Sequence, residues 1–190
     1  MRRAMPPVLP YLPAGVEPGA IRMVAVGEAL SESGDDFLSA PSDSMFVANV
    51  VAAFRSGGAD VDNIDDVVSL GVYLTVAVKA PKLTAAISTA SVNEHAGSLA
   101  AELDALTNVR VVVLMGDVAI KAMNAVACRR GQPRVIPAGP THKLRAAEYR
   151  YGKVRVLPSY LPTGRSYLIE RSKREMIAED LRLALGLMSP

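Results

Sequence analysis

The chain has 190 residues, of which 50% are hydrophobic and 21% are charged, and this size and composition are typical of one compact globular domain. Its single cysteine, Cys128, excludes an intramolecular disulfide and any metal or iron–sulfur site that needs several thiolates. A reducing, cytoplasmic setting is therefore expected. Prolines interrupt the first twenty residues, so we expect no secretion signal, and no segment approaches the roughly 18 uninterrupted apolar residues of a membrane helix.

The formal net charge of +2 conceals an uneven distribution of charge. Residues 129–174 contain twelve lysines and arginines against Glu148 and Glu170, a net charge of +10, and the rest of the chain carries −8. Such a window can attract a polyanion such as DNA, because lysine and arginine neutralise phosphates and release their counterions. The ordinary alternative is a solvated basic face.

The first half of the chain predicts an arm, two strands and a helix. Residues 1–20 are rich in proline and indicate an extended arm. The apolar run IRMVAV, residues 21–26, predicts a buried strand that ends at Gly27. A polar loop follows, in which Ser42 or Asp43 can cap a helix that runs to Arg55. VYLTVAV, residues 72–78, predicts the second strand.

The second half alternates helices and strands in the same way. Ser91 and Glu94 have the spacing of a capping box, which predicts the start of a helix there. VRVVVLM, residues 109–115, is typical of a parallel strand covered on both faces, and a helix through about residue 127 follows it. Residues 154–157 predict a last strand. Ser172 and Glu175 form a second possible capping box before a closing helix over 173–186.

This order predicts a three-layer α/β/α fold with a mainly parallel central sheet. We expect the arm, residues 1–20, to be followed by a single domain over residues 21–190. Because ligand sites in such folds lie at the carboxyl ends of the strands, the loops after Val26, Val78, Met115 and Leu157 should converge. These loops are where functional residues are to be sought.

Four segments resemble, in order and spacing, the motifs of the uracil-DNA glycosylase superfamily. VAVGEALSESGDDF (24–37) is similar to the loop that supplies a carboxylate for the water nucleophile and a phenylalanine for the flipped base. GVYLTVAVKAPK (71–82) is similar to the strand whose asparagine reads the base edge. VVVLMGDVAIKAMN (111–124) resembles a strand-to-helix segment of these proteins, and VLPSYLPTGRSY (156–167) resembles their final motif.

The resemblance implies roles for particular side chains around a flipped base. Asp35 or Asp36 would activate water as the catalytic residue. The base-binding residues would be Gly27, Glu28, Phe37, Val76 and Leu161, with Phe37 stacking on the base. The residues that would contact the DNA backbone are Lys79, Lys82, His142, Lys143, Ser159, Thr163, Gly164 and Arg165.

Two of these positions depart from the superfamily pattern. Val76 stands where asparagine reads the base, and Leu161 stands where histidine stabilises the departing uracil anion. Neither side chain can form a hydrogen bond, and loss of one such donor typically lowers the rate about a hundredfold, or some 3 kcal/mol. Ordinary recognition of uracil is therefore not expected from this sequence.

Each assignment has a structural alternative. Asp35 and Asp36 can belong to a solvated turn, Glu28 to the surface and Phe37 to the core. Residues 159–165 can form an ordinary polar turn, and the lysines and His142 can be exposed charges. The two distant histidines lack the spacing of metal ligands, and the phosphate-loop and Gly-x-Gly-x-x-Gly patterns are absent, so we expect no metal and no cofactor.

The sequence thus leads to three hypotheses about function. In the first, the protein hydrolyses the N-glycosidic bond of a damaged or deaminated base in DNA, the first step of base excision repair. In the second, it binds nucleic acid or a free nucleobase without chemistry. In the third, it is a structural or interaction protein whose pocket is vestigial.

Overall fold

A computed structural model describes residues 8–84 and 86–189, without the side chains of residues 164–166. Within this part of the chain there are five strands and seven α-helices. The strands are β1 (Met23–Leu30), β2 (Val72–Pro81), β3 (Val111–Met115), β4 (Tyr149–Tyr151) and β5 (Val154–Ser159). The helices are α1 (Met45–Ser56), α2 (Ile64–Ser69), α3 (Thr89–Ala105), α4 (Asp117–Arg129), α5 (Thr141–Leu144), α6 (Gly164–Ile169) and α7 (Arg171–Met188).

The strands form one sheet in the order β2-β1-β3-β5-β4. All neighbouring strands are parallel except β4, which pairs antiparallel with β5 at one edge. Gly27 of β1 lies opposite Val76 of β2 in this register. The predicted α/β fold with a mainly parallel sheet is confirmed.

Helices cover both faces of the sheet. Successive side chains of each strand point to opposite faces, so each strand packs against helices on both sides. On β1, Val24 and Val26 pack on the side of α3 and α4, whereas Met23 and Ala25 pack on the side of α1, α2 and α7. This double burial explains why the central strands are continuous apolar runs rather than alternating ones.

Several predicted boundaries were wrong. β1 does not end at Gly27 but continues through Leu30, so Glu28 lies near the carboxyl end of this strand. Ser44, rather than Ser42 or Asp43, caps α1 by accepting from the amide of Val47.

Both predicted capping boxes were also wrong. Helix α3 begins at Thr89 and is capped by Ser88, and α7 begins at Arg171 without a side-chain cap. Ser91 and Ser172, which have the spacing of a capping box with Glu94 and Glu175, thus lie inside the first turns of α3 and α7 and not before them. Helices α2, α5 and α6 and strand β4 were not predicted, because elements of three to six residues are too short to show a hydrophobic period.

The described part of the N-terminal segment lies on the domain. Residues 8–17 form turns and irregular structure, and a short 3₁₀-helix, Pro18–Ala20, precedes β1. Leu9, Tyr11, Leu12 and Val16 pack against the core. No helix of the described chain combines the length and apolar character that crossing a membrane requires.

Candidate functional site

A cleft with two adjoining lobes opens at the carboxyl ends of the strands. Four side chains line both lobes: Glu28, Lys82, Leu161 and Thr163. The Phe46 lobe, about 380 Å³, is completed by Ala29, Leu30, Glu32, Phe46, Leu83 and Thr84. The His142 lobe, about 540 Å³, is completed by Gly116, Asp117, Gly139, Pro140, Thr141, His142, Tyr160 and Lys173. Both volumes lie in the range of small-ligand sites.

An ion pair lies where the two lobes meet. Lys82 Nζ donates to Glu28 Oε2 at 2.7 Å, and the two side chains are 35% and 17% exposed. Glu28 is near the end of β1, and Lys82 follows the last residue of β2, so the parallel pairing of these strands brings the two side chains together. The pair is accessible from the cleft while being partly withdrawn from water.

Gly116 makes room for Glu28 between the ends of β1 and β3. It has φ +103° and directly precedes α4. A Cβ at this position would lie 3.2 Å from Glu28 Oε1 and 3.3 Å from the Cβ of Leu161. Glycine therefore meets two requirements, a left-handed backbone and the close approach of two cleft side chains.

Two stacked aromatic rings form one side of the site. Phe37 and Phe46 have ring centroids 4.5 Å apart and planes 5° apart. Phe46 is half-buried and lines the cleft, whereas Phe37 is 1% exposed. Phe37 fills the space over Gly27 and Val76, since a Cβ at Gly27 would be 3.0 Å from Phe37 Cζ and 3.5 Å from Val76 Cγ1.

Three predicted base-binding residues, Gly27, Phe37 and Val76, are thus buried beneath the cleft and do not line it. Glu28 and Leu161 do line it. Phe46 is the aromatic ring that lines the Phe46 lobe. It was not predicted from the sequence, because an aromatic residue in the first turn of an apolar helix has the same pattern as a core residue.

The two predicted catalytic aspartates lie outside the cleft. Asp36 Oδ1 accepts from the backbone amides of Leu38 and Ser39 at 2.7 and 2.9 Å, so its carboxylate holds a tight turn. Asp35 Oδ2 is 3.4 Å from Ser31 Oγ, which also accepts from the amide of Asp35. The carboxylate that the fold brings to the centre of the cleft is Glu28.

The predicted contacts to a DNA backbone separate into several groups. Lys82, His142 and Thr163 line the cleft, and Lys143 is exposed beside His142. Gly164 begins α6, and the side chain of Arg165 lies outside the described part of the structure.

Lys79 does not face the cleft. It is largely buried between β2 and α3, where its Nζ lies 2.8 Å from Glu102 Oε1 and donates to Thr75 Oγ1 at 2.7 Å. Burial lowers the pKa of Lys79 and raises the pKa of Glu102, and the attraction between the two groups opposes both shifts. This lysine is therefore part of a buried ion pair, and it does not reach a phosphate in this arrangement.

Ser159 also turns away from the cleft. It is buried, and its hydroxyl donates to Asp180 Oδ2 at 2.6 Å. Arg145 Nε donates to Asp180 Oδ1 at 3.0 Å. Asp180 of α7 therefore connects the residue after α5 with the end of β5. Burial raises the pKa of Asp180, and the hydrogen bonds from Arg145 and Ser159 act in the opposite direction. This anchor holds the segment that carries Thr141 and His142 against the His142 lobe.

The His142 lobe contains further polar residues that the sequence analysis did not single out. Thr141 Oγ1 lies 3.4 Å from Asp117 Oδ1, and Lys173 Nζ lies 5.3 Å from the centre of the Tyr160 ring. Asp117 begins α4, Thr141 begins α5, Tyr160 follows β5 and Lys173 lies in α7. They are far apart in sequence, so only the tertiary fold reveals that they are close together. Within residues 8–84 and 86–189, no three His, Cys, Asp or Glu side chains gather as metal ligands would.

A mainly parallel sheet covered on both faces, with a cleft at the carboxyl ends of its strands, defines an open-sheet α/β domain, the class of fold in which ligands bind at this end of the sheet. A family model described as the Uracil DNA glycosylase superfamily matches residues 13–182, and the chain belongs to that superfamily. No curated protein sequence matches the chain.

Proposed function

We propose that the cleft receives a damaged or deaminated base flipped out of DNA and that the protein hydrolyses its N-glycosidic bond. Membership of the superfamily supports a glycosylase-like function in general. The observation that carries the specific proposal is the Glu28–Lys82 pair at the centre of a cleft large enough for a nucleobase.

Glu28 is the residue best placed to activate water. One carboxylate oxygen accepts from Lys82, and the other lies beside Gly116. The Asp36 carboxylate, in contrast, is occupied by two backbone amides. A general base must reach the reacting atom before its pKa matters, and among these carboxylates Glu28 meets that condition.

The Phe46 lobe supplies the other interactions that the reaction requires. Phe46 offers an aromatic surface to a base, backed by the buried ring of Phe37. Lys82 is the one cationic side chain among the described residues that line this lobe, so it is the group that would stabilise negative charge on a departing base. Leu161 contributes apolar contact but no hydrogen bond.

The His142 lobe has the donors that a flanking phosphate needs. Lys173 and His142 line it, together with the hydroxyl groups of Thr141 and Thr163. Contacts of this kind fix the position of a DNA strand without reading its sequence. We therefore assign the base to the Phe46 lobe and the adjoining backbone to the His142 lobe.

Base release from labelled single- and double-stranded oligonucleotides tests the proposal. The substrates carry uracil, hypoxanthine or xanthine, and the variant Leu161→His restores a donor inside the cleft. We expect the wild type to release at least one base slowly and Leu161→His to release it about a hundredfold faster.

Leu183→His is the matched control, because Leu183 is 47% exposed on α7 and lines neither lobe. We expect its rate to equal that of the wild type. Absence of release by both the wild type and Leu161→His at high enzyme concentration would contradict the proposal.

A non-catalytic binding protein is the second candidate, and the position of Phe37 favours it. This ring occupies the space between Phe46 and the Gly27–Val76 pair, so a base has less room there. Salt-dependent binding of oligonucleotides without any base release would identify this function. Failure to bind any oligonucleotide at low salt would instead favour a structural or interaction protein.

A further inference from the structure

We propose that Lys82 is an amine nucleophile that cleaves the DNA strand at an abasic site through a Schiff base. The inference rests on the proposed function, because removal of a base in this cleft leaves a deoxyribose whose ring-opened form is an aldehyde. Lysine amines form Schiff bases with such carbonyl groups. The protein would then be both a glycosylase and a lyase.

The position of Lys82 suits this chemistry. Its Nζ lies at the junction of the two lobes, between the proposed places of the base and of the backbone, which is where the sugar must lie. The side chain is 35% exposed and therefore accessible to a ligand. Glu28 Oε2, 2.7 Å away, is the acceptor for the proton that the ammonium group must lose before it attacks.

Other lysines near the site are less suited. Lys79 is enclosed with Glu102 and Thr75 between β2 and α3 and lines neither lobe. Lys173 lines the His142 lobe alone, where it lies over the Tyr160 ring and 3.6 Å from Glu170. Lys143 does not line either lobe. Lys82 is the lysine that borders both.

The first half of the reaction forms the imine. Glu28 accepts one proton from the Lys82 ammonium group, and the free amine attacks C1′ of the aldehyde to form a C–N bond. The carbinolamine hydroxyl then leaves as water, with the proton returned by Glu28. Lys82 is now joined to C1′ as a protonated imine, and Glu28 is again a carboxylate.

The second half breaks the strand. Glu28 removes a proton from C2′, the C–H electron pair becomes the C2′=C3′ double bond, and the C3′–O bond breaks with its electron pair leaving on the phosphate. Water then hydrolyses the imine and releases Lys82. The products are a 3′-unsaturated aldehyde and a 5′-phosphate, with no net oxidation or reduction.

Reductive trapping on preformed abasic DNA tests this step independently of base release. The full chain is incubated with an oligonucleotide that contains one natural abasic site, in the presence of cyanoborohydride, which reduces an imine to a stable amine. We expect a covalent protein–DNA complex and, without the reductant, strand cleavage with an unsaturated aldehyde end. Peptide mass spectrometry should locate the adduct on Lys82.

The decisive variant is Lys82→Arg. Its guanidinium preserves the charge beside Glu28 but is not deprotonated in proteins, so it cannot form the imine. We expect the trapped complex to fall at least about tenfold. Lys153→Arg, at an exposed lysine in the turn between β4 and β5 that lines neither lobe, should trap as the wild type does. The circular dichroism spectrum and the thermal midpoint of Lys82→Arg should match those of the wild type, which shows that the variant is folded.

Trapping that persists in Lys82→Arg, or an adduct that maps to another amine, would overturn the proposal. So would the absence of any adduct when the wild type binds the abasic oligonucleotide or releases a base from an intact one. If the wild type releases a base but forms no adduct, the protein has the glycosylase function without the lyase function. Conversely, trapping at Lys82 without base release from any substrate would refute the glycosylase step alone.

Discussion

Two phenylalanines stacked at the cleft have different tasks. Phe37 is buried against Gly27 and Val76, whereas Phe46 is half-buried and borders the cleft. The buried ring contributes mainly to folding, because its removal leaves a cavity. The half-buried ring contributes mainly to ligand binding, because base–aromatic stacking is sequence-tolerant and worth about 1–3 kcal/mol per base.

Alanine variants of the two phenylalanines should separate these tasks. We expect Phe37→Ala to lower the free energy of unfolding by about 3–5 kcal/mol, measured by urea denaturation. We expect Phe46→Ala to have a smaller effect on unfolding and to weaken oligonucleotide binding by about 1–3 kcal/mol. The opposite order, with Phe46 dominant in folding and Phe37 dominant in binding, would show that the two rings are assigned wrongly.

At the scale of elements, Asp180 of α7 links three parts of the fold. It receives hydrogen bonds from Ser159, at the end of β5, and from Arg145, immediately after α5. Burying a carboxylate is unfavourable unless charged and polar partners compensate for the lost hydration. The anchor is therefore sensitive to the loss of any one partner.

We expect Asp180→Ala to lower the free energy of unfolding by about 3–5 kcal/mol, because the hydrogen bonds from Arg145 and Ser159 to a buried carboxylate are both lost and Arg145 keeps only the exposed Glu179 as an acidic partner. Ser159→Ala should lower it by about 1–3 kcal/mol, since one hydrogen bond to a buried charge disappears. Arg171→Ala, in an exposed pair with Glu175, is the control and should change it by less than about 0.5 kcal/mol. Equal effects of the three variants in urea denaturation would refute this account of the anchor.

The described part of the N-terminal segment is joined to the sheet through Tyr11. Its ring lies 5.3 Å from Lys79 Nζ, above the buried Lys79–Glu102 pair. Burial raises the pKa of Tyr11 to about 12, and the negative charges of Glu102 and Asp36 act in the same direction. The phenol therefore stays neutral in the folded protein at a pH at which it would ionise in the unfolded chain.

The stability of the protein should depend on Tyr11 at alkaline pH. A tyrosine with a raised pKa contributes stability that is complete below its unfolded pKa of about 10 and is lost as the pH rises through the folded value of about 12. In urea denaturation, the unfolding free energy of the wild type relative to Tyr11→Phe should be constant from pH 7 to 9 and should fall by pH 11. A constant difference across this whole range would contradict the burial of Tyr11.

At the scale of the whole molecule, the basic window of residues 129–174 is not one continuous patch. Lys173 lines the cleft, but Arg130 pairs with Asp104, and Arg150 and Arg155 pair with Glu148. Successive helices and strands run between the two ends of the sheet, so basic residues that are close in sequence can lie at different ends of the molecule. The net charge of this window in the sequence is therefore larger than the positive charge that lines the cleft.

The fold was largely predictable from the sequence, whereas the position of each side chain at the site was not. Continuous apolar runs such as residues 111–115 identify parallel strands because both faces must be covered. Asp36 and Glu28, in contrast, are both acidic residues in or next to a polar loop. What distinguishes them is the continuation of β1 beyond Gly27 and the turn that the Asp36 carboxylate closes, and neither feature has a periodic signal.

The central claim, that Glu28 is the carboxylate that acts on the substrate, is tested most directly by single-turnover rates of base release for Glu28→Gln, Asp35→Asn and Asp36→Asn beside the wild type. We expect Glu28→Gln to be at least about a hundredfold slower, because a general base contributes a factor of this size. Asp35→Asn and Asp36→Asn should stay within a few-fold of the wild type, since an asparagine oxygen at 36 still accepts the amides of Leu38 and Ser39. A Glu28→Gln rate equal to that of the wild type, together with loss of release in either aspartate variant, would contradict the assignment.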